Sequence, residues 1–237
     1  MDNKKIKARP AVMLDVDDTL LDFKKAERAA LTKAFTKLGL PTDDNILSEY
    51  SEINISQWEL LEEGKLSRRQ VLEGRFDILF SRHGLDFSGA QANALYEELL
   101  AIGHYFIDGA PELLEALKGK YDLYIASNGV AKVQAGRLAS AGIEPYFKGI
   151  FISETMGADK PGKEYFDRCF AQMEGFDPQR TIIVGDSLTS DIRGGINAGI
   201  KTCWFNHRRR PEREDIKPDW VIYSLNELPP LLERIFG

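Results

Sequence analysis

"VMLDVDDTLLDF", residues 12–23, decides the fold. It opens as an apolar run of buried-strand composition and passes directly into Asp15, Asp17, Asp18 and then Asp22. Carboxylates this dense repel one another, and desolvating one without a partner is costly. A strand that only had to end in solvent needs one polar residue, not a cluster of acids. Whatever compensates them must come from elsewhere in the chain.

Outward from this stretch, short apolar runs alternate with helical patterns. Ala11 to Val16 reads as the first strand and Tyr121 to Ala126 as the second; Lys148 to Ile152, Thr181 to Val184, Ile200 to Phe205 and Trp220 to Ile222 follow. Most are too short for helices and rich in β-branched or aromatic residues. Between them, Pro111 opens a helix over "ELLEALK" that Gly119 stops. Val130 to Ala141 ends at Gly142, Lys163 to Glu174 at Gly175, and Asp191 to Ala198 at Gly199. Glycine accepts the left-handed conformation that closes a helix. Strand, helix, strand at this spacing predicts an α/β fold, a parallel sheet with helices on both faces.

Residues 22–107 break the rhythm. They read as consecutive helices over Lys24 to Leu38, Asp43 to Glu62, Ser67 to His83 and Ser88 to Ile102. Ser67-x-x-Gln70 and Ser88-x-x-Gln91 both fit a capping box. The expectation is a helical domain at 22–107, inserted into a core made of 1–21 and 108–237, over the carboxyl edge where open α/β sheets keep their ligands.

Composition narrows the class. The 237 residues, 43% hydrophobic and 29% charged, are ordinary for a globular protein with a substantial core. A net charge of −6 argues against a general nucleic-acid binder. Cys169 and Cys203 stand far apart with no C-x-x-C or paired His, so neither a disulfide framework nor a structural zinc site is expected. The start, Met1 to Lys7, is basic with no apolar stretch behind it, and no run reaches membrane-spanning length. A cytoplasmic protein with no membrane partner is expected.

The acids have candidate partners after later strands. Asp15, Asp17 and Thr19 form D-x-D-x-T; two such carboxylates can divide work as nucleophile and proton donor, or be turn acids beside a helix cap. Ser127-Asn128-Gly129 ends the second strand, as an anion-binding turn or a plain N-cap. Lys160-Pro161 supplies a cation for phosphoryl oxygens and acids, or a surface lysine, with Lys163 as its neighbour and competitor. Gly185-Asp186, with Asp191 five residues on, offers hard oxygen ligands suited to Mg²⁺, or a solvated turn.

Acids, hydroxyl, lysine and acids again, each after a predicted strand, form an ordered set that resembles the haloacid dehalogenase-like hydrolase superfamily. The likeness covers residues 11–20 and 108–225, and the segment 22–107 looks like that family's alpha-helical cap on a Rossmann-like core. It implies Asp15 as nucleophile and Asp17 as general acid, then base. It implies Mg²⁺, with Mn²⁺ as substitute, on Asp15, Asp186 and the backbone carbonyl of Asp17. Thr19, Ser127, Asn128 and Lys160 would support the nucleophile loop or hold phosphate, and Gly185 and Asp191 would support the metal. Asp18 and Asp22 receive no role beyond loop or hinge acids.

The implied reaction is phosphate-monoester hydrolysis through an aspartyl-phosphate. Halide displacement needs no proton, and the dehalogenase branch lacks an acid at the position of Asp17. "DVDDTLLDF" and "SDIRGGINAGIKTCWFNHRRRP" look like bacterial pyrimidine 5′-nucleotidases, which implies dUMP, dTMP, UMP or modified analogues as substrates. Sugar-phosphate phosphatases and phosphomutases share the acid pair and remain open, as does a phospho-acceptor signalling domain. Trp58, Phe76, Phe80, Tyr105 or Phe106 could stack on a base, although Phe76 and Phe80, four apart, also fit core packing. His207-Arg208-Arg209-Arg210 reads as a solvated basic loop or as a steering patch for anions. A monomer or homodimer is expected.

Overall fold

An apolar tetrapeptide with no polar alternation must be covered on both faces, and Ala11–Leu14 is: β1 is buried along its whole length. The computed structural model describes residues 9–237; the basic start read at residues 1–7 lies outside the described residues. Five more strands follow, β2 (Asp122–Ser127), β3 (Gly149–Ile152), β4 (Thr181–Gly185), β5 (Lys201–Phe205) and β6 (Trp220–Ile222). All pair in parallel in the order β3-β2-β1-β4-β5-β6. Met13 sits between Tyr124 and Ile183 in register. The chain leaves β1 toward β3 on one side and toward β6 on the other, so the strand order reverses beside β1. In open α/β sheets that crevice, at the carboxyl ends, is the ligand site.

Two compact units make up the chain. Among the described residues, one comprises 9–21, 106–129 and 143–237 and carries the sheet; the other comprises 22–105 and 130–142 and is helical. In the second, α1 (Phe23–Leu38), α2 (Asp44–Glu62), α3 (Arg68–His83) and α4 (Gly89–Leu100) start where polar caps precede apolar stripes. Asp22 caps α1, accepting from the Lys25 amide at 2.9 Å. The full capping box forms at Ser67 and Gln70, whereas Ser88 only accepts from the Gln91 amide, so half of that expected box is made.

The apolar stripes meet in an aromatic core. Phe76 lies 4.7 Å from the Tyr50 ring and 5.6 Å from Tyr96, centroid to centroid, with Phe35 and Phe80 beside it. Phe76 and Phe80 are therefore core residues and not a platform for a base. A buried polar thread ties the four helices: Asn54 donates to Glu27 at 2.8 Å, and Arg75 donates to Asn54 at 2.7 Å and to Asn93 at 2.8 Å. Arg75 also lies over the Tyr96 ring at 5.2 Å.

The sequence boundaries put everything after residue 107 in one body. Instead α6 (Ala131–Ala141), which follows α5 (Ala110–Leu117), groups with the helical unit. Val133 is part of the buried cluster of α1–α4, and Gly136 packs so tightly that a Cβ there would lie 2.7 Å from the Ala101 carbonyl oxygen. After the short α7 (Ser153–Met156), α8 (Lys163–Phe170) stops well before Gly175, where the sequence placed its end. Phe170 stacks on Phe176 at 3.9 Å, which folds the chain back into tight turns. The helix expected from Asp191 begins earlier, as a π-helical turn over Leu188–Ile192 that runs into α9 (Arg193–Ala198). The last helix is α10 (Leu228–Phe236). No helix among the described residues is long and apolar enough to cross a membrane. Cys169 and Cys203 are buried and unbonded.

Candidate active site

Every site residue named from sequence lies in the sheet-bearing unit, at the carboxyl end of β1, β2 or β4 or in the loop after β3. The Asp15 amide makes the last bond of β1, to Val184 of β4 at 3.0 Å. The strand stops at Leu14, not Val16, because the Val16 carbonyl turns to accept from the Leu20 and Leu21 amides at 3.0 and 2.9 Å. Asp18 closes this turn at φ +60°, a left-handed conformation that Asp tolerates better than most residues. Thr19, fully buried, ties the turn to the next loop by accepting from the Asp186 amide at 3.2 Å.

Lys160 joins the loops. Its Nζ donates to Asp15 Oδ1 at 2.8 Å, Asp191 Oδ1 at 2.6 Å and the Ala126 carbonyl at 2.6 Å. The side chain is only 2% exposed, so the surface-lysine reading is excluded. Lys163, its competitor, pairs with Asp167 along the exposed side of α8. Asn128 grips the Lys160 backbone from both sides, donating to its carbonyl and accepting from its amide, each at 2.8 Å. It also donates to Ser190 Oγ at 3.2 Å. Asn128 thus holds the backbone of the lysine in place. Ser127 Oγ accepts from the Gly129 amide at 3.1 Å and rounds the turn after β2.

Asp191 is 1% exposed, with both carboxylate oxygens engaged: Oδ1 by Lys160 and Oδ2 by the Ser187 amide at 3.1 Å. Gly185 makes room for it, since a Cβ there would lie 2.1 Å from Asp191 Oδ2. A π-helical turn places Asp191, a distortion often found at functional sites. Among the described residues, one oxygen from each of Asp15, Asp186 and Asp191 lies within 4.8 Å of the others. Three hard oxygen donors fit Mg²⁺ or Mn²⁺ and not a soft metal.

The charge balance supports that fit. Burial drives the Asp15 carboxyl well above the ordinary range, Lys160 pulls it down, and Asp191, Asp17 and Asp186 push it up again. Burial opposes the Lys160 charge, but Asp15 and Asp191 outweigh it and hold the ammonium above the usual lysine range. Asp186 is pushed up to about 7 by burial, then by Asp18 and Asp191, with Arg210 and Arg208 opposing. One buried lysine does not balance this many acids. A divalent cation would.

Two residues that sequence reasoning did not place at the site reach it from the loop after β5. Arg210 pairs with Asp186 Oδ2 at 2.9 Å, and Arg208 with Asp18 Oδ1 at 2.8 Å. The basic loop is therefore not simply solvated, and its arginines divide: Arg209, between the other two, lies over the Tyr223 ring at 3.8 Å. Trp204 of β5 adds a bond from its indole N–H to the Asp186 carbonyl at 2.9 Å. Asp22 is spent as a helix cap. Among the proposed stacking residues, Tyr105 packs beside the helical core with Lys25 4.8 Å over its ring, and Arg68 lies 5.5 Å over Trp58.

Comparison with known proteins gives a consistent picture. Residues 10–199 match the haloacid dehalogenase-like hydrolase family. The pyrimidine 5′-nucleotidase PynA of Streptococcus pneumoniae is 37% identical over 94% of this chain and 94% of its own length. The pyrimidine 5′-nucleotidase YjjG of Escherichia coli is 33% identical over 93% of this chain and 96% of its own. The crystal structure of YfnB from Bacillus subtilis, bound to magnesium, superposes with a TM-score of 0.91 at 41% identity, covering 95% of this chain and 99% of that one.

Proposed function

Since this chain belongs to the haloacid dehalogenase-like hydrolases and is a phosphatase, we propose that it hydrolyses pyrimidine nucleoside 5′-monophosphates such as dUMP, dTMP and UMP through an aspartyl-phosphate, with Mg²⁺ as cofactor. The observation that carries this reading is the Lys160 ammonium bridging Asp15 and Asp191, with Asp186 close enough to share a cation with them.

In this reading Asp15 is the nucleophile. One of its oxygens is held by Lys160, which fixes the carboxylate for in-line attack on phosphorus. As the new P–O bond forms and the ester bond breaks, Asp17 gives a proton to the departing sugar oxygen. Asp17, now a carboxylate, takes a proton from water as that water attacks the phosphoryl group, and Asp15 is released with inorganic phosphate. Lys160 and the turn after Ser127 offset negative charge on the phosphoryl oxygens. Mg²⁺ on Asp15, Asp186 and the Asp17 carbonyl would supply further charge neutralisation there. Asp191, Gly185, Thr19 and Asn128 position these groups through the bonds already described.

The pyrimidine preference rests on PynA and YjjG, each matched over nearly its full length. A phosphate-release panel of nucleoside monophosphates and sugar phosphates tests it. Pyrimidine monophosphates are expected to give the highest kcat/KM; sugar phosphates turned over much faster would overturn the preference while leaving the phosphatase chemistry intact.

A further inference from the structure

The loop after β5 is built to deliver two guanidinium groups to the acidic centre. Asn206, 5% exposed, accepts from the Arg210 amide at 2.8 Å through its Oδ1 and donates to the Arg210 carbonyl at 2.9 Å. Its own amide bonds to the Ile222 carbonyl of β6 at 2.8 Å, and its carbonyl accepts from the Arg209 amide at 3.1 Å. Arg209 takes φ +53°, a left-handed step that turns its side chain onto Tyr223. That step splits consecutive arginines between two directions. Arg208 and Arg210 face the acids, and Arg209 does not. A loop serving only solubility has no need of this bracing.

Arg210 lands on an oxygen of Asp186, one of the three carboxylates grouped around a common point. The Asp186 carboxylate therefore has two prospective cations, the guanidinium and the divalent ion. We propose that Arg210 is the resident counter-ion of Asp186 in the metal-free enzyme and that the divalent cation displaces it from that carboxylate. Arg208 stays on Asp18, which lies outside the three-carboxylate group, and keeps the loop anchored while Arg210 changes partner. The inference rests on the metal reading above and goes beyond it: metal binding here is an exchange of one cation for another.

Exchange makes the metal compete with an ion pair whose arginine is 43% exposed and whose aspartate is 12% exposed. The guanidinium side of the pair is partly screened by water, although the aspartate is largely buried. Arg210→Gln should therefore bind Mg²⁺ about two- to fivefold tighter than the parent, measured by calorimetry on metal-free protein. Arg209→Gln removes the same charge from the same loop without touching Asp186, so it should leave the affinity within about 1.5-fold of the parent. Crystal structures of the wild type with and without Mg²⁺ give a readout free of any variant: the Arg210–Asp186 contact should open when the ion is bound. Equal Mg²⁺ affinity in Arg210→Gln and wild type, an equal gain in Arg209→Gln, or a contact that stays closed with Mg²⁺ present would each overturn the exchange. A wild type that binds Mg²⁺ but shows these results loses only this inference; one that binds no Mg²⁺ loses the metal assignment with it.

Discussion

Replacing Lys160 with methionine isolates the energetic role of the buried lysine. Methionine fills most of the volume but carries no charge and no N–H. The substitution removes three contacts at once, with Asp15 at 2.8 Å, Asp191 at 2.6 Å and the Ala126 carbonyl at 2.6 Å. It strands two carboxylates whose side chains are 9% and 1% exposed. Breaking a buried pair by deleting one partner typically costs about 3–5 kcal/mol, because the remaining charge stays desolvated. In a chain of this length each kcal/mol moves the melting temperature by about 2–4 °C, so metal-free Lys160→Met should melt about 6–20 °C below the parent.

A second substitution separates the stranded charge from lost packing. Asp191→Asn keeps the shape and the acceptor for the Ser187 amide but removes the more deeply buried of the two charges. Lys160→Met/Asp191→Asn should therefore be more stable than Lys160→Met alone, recovering about half the loss or more. Calorimetric unfolding in chelator measures both. A loss under about 1 kcal/mol in the single variant, or a double variant no more stable than the single, would refute the view that Lys160 holds the site's acids in place.

Four shorter predictions bear on the same centre. Asp15→Asn should lower phosphatase turnover about a thousandfold or more while leaving the circular dichroism and melting profile folded, because the amide matches the carboxylate in shape but is barely nucleophilic; turnover near the parental rate would remove Asp15 from the mechanism. Chelation followed by dialysis should abolish turnover and added Mg²⁺ should restore it; undiminished activity without metal would count against the cation site. Gly185→Ala would put a Cβ 2.1 Å from Asp191 Oδ2, so it should cost about 1–3 kcal/mol in stability and reduce turnover at least about tenfold; a parental Tm and kcat would show that this contact gives way freely. Cys169 and Cys203 are fully buried and each is pushed up to about 12 by burial, so neither should react with a thiol reagent at pH 8 until the protein unfolds; labelling of the native protein at a free-thiol rate would contradict that burial.

What could be read from the sequence follows from what is local. Strands announce themselves by short β-branched runs, and each predicted strand formed with no end off by more than two residues; β1 is two residues shorter because the Val16 carbonyl serves the turn and not the ladder. Loops that directly follow strands inherit their position from the sheet, which is why Asp15, Ser127 and Asp186 are legible as strand-end residues, whereas Lys160 lies beyond α7 and is held from Asn128. Side-chain partners across loops are another matter. Asn128 gripping the Lys160 backbone joins residues 32 apart, and no local pattern encodes such a pairing. The helix expected to run to Gly175 ends at Phe170; Gly175 still takes a left-handed φ of 66°, and Phe170 stacks on Phe176 across the turns between them.

The arginine loop is the instructive case. "HRRR" carries charge but no period, so composition alone offers only solvation or a diffuse field. Its direction depends on one left-handed residue, Arg209, in a region of backbone space that arginine seldom occupies, and on Asn206 bracketing the turn from the end of β5. Neither is visible without the fold, yet together they decide that two arginines face the acids and the third does not. The opening acid cluster is thus offset in part from two sides: by the buried lysine that Asn128 positions, and by guanidinium groups reaching in from the opposite side of the switch point. In the proposed reading, that second set of charges lets the acids stay folded together before a metal binds. A buried set of carboxylates with Lys160 alone would carry excess negative charge at neutral pH, and like charges held that close favour unfolding or protonation. Arg208 and Arg210 reduce the excess without occupying the deepest part of the site: Arg208, the less exposed of the two, stays on Asp18, and Arg210, the more solvated, is the one free to change partner.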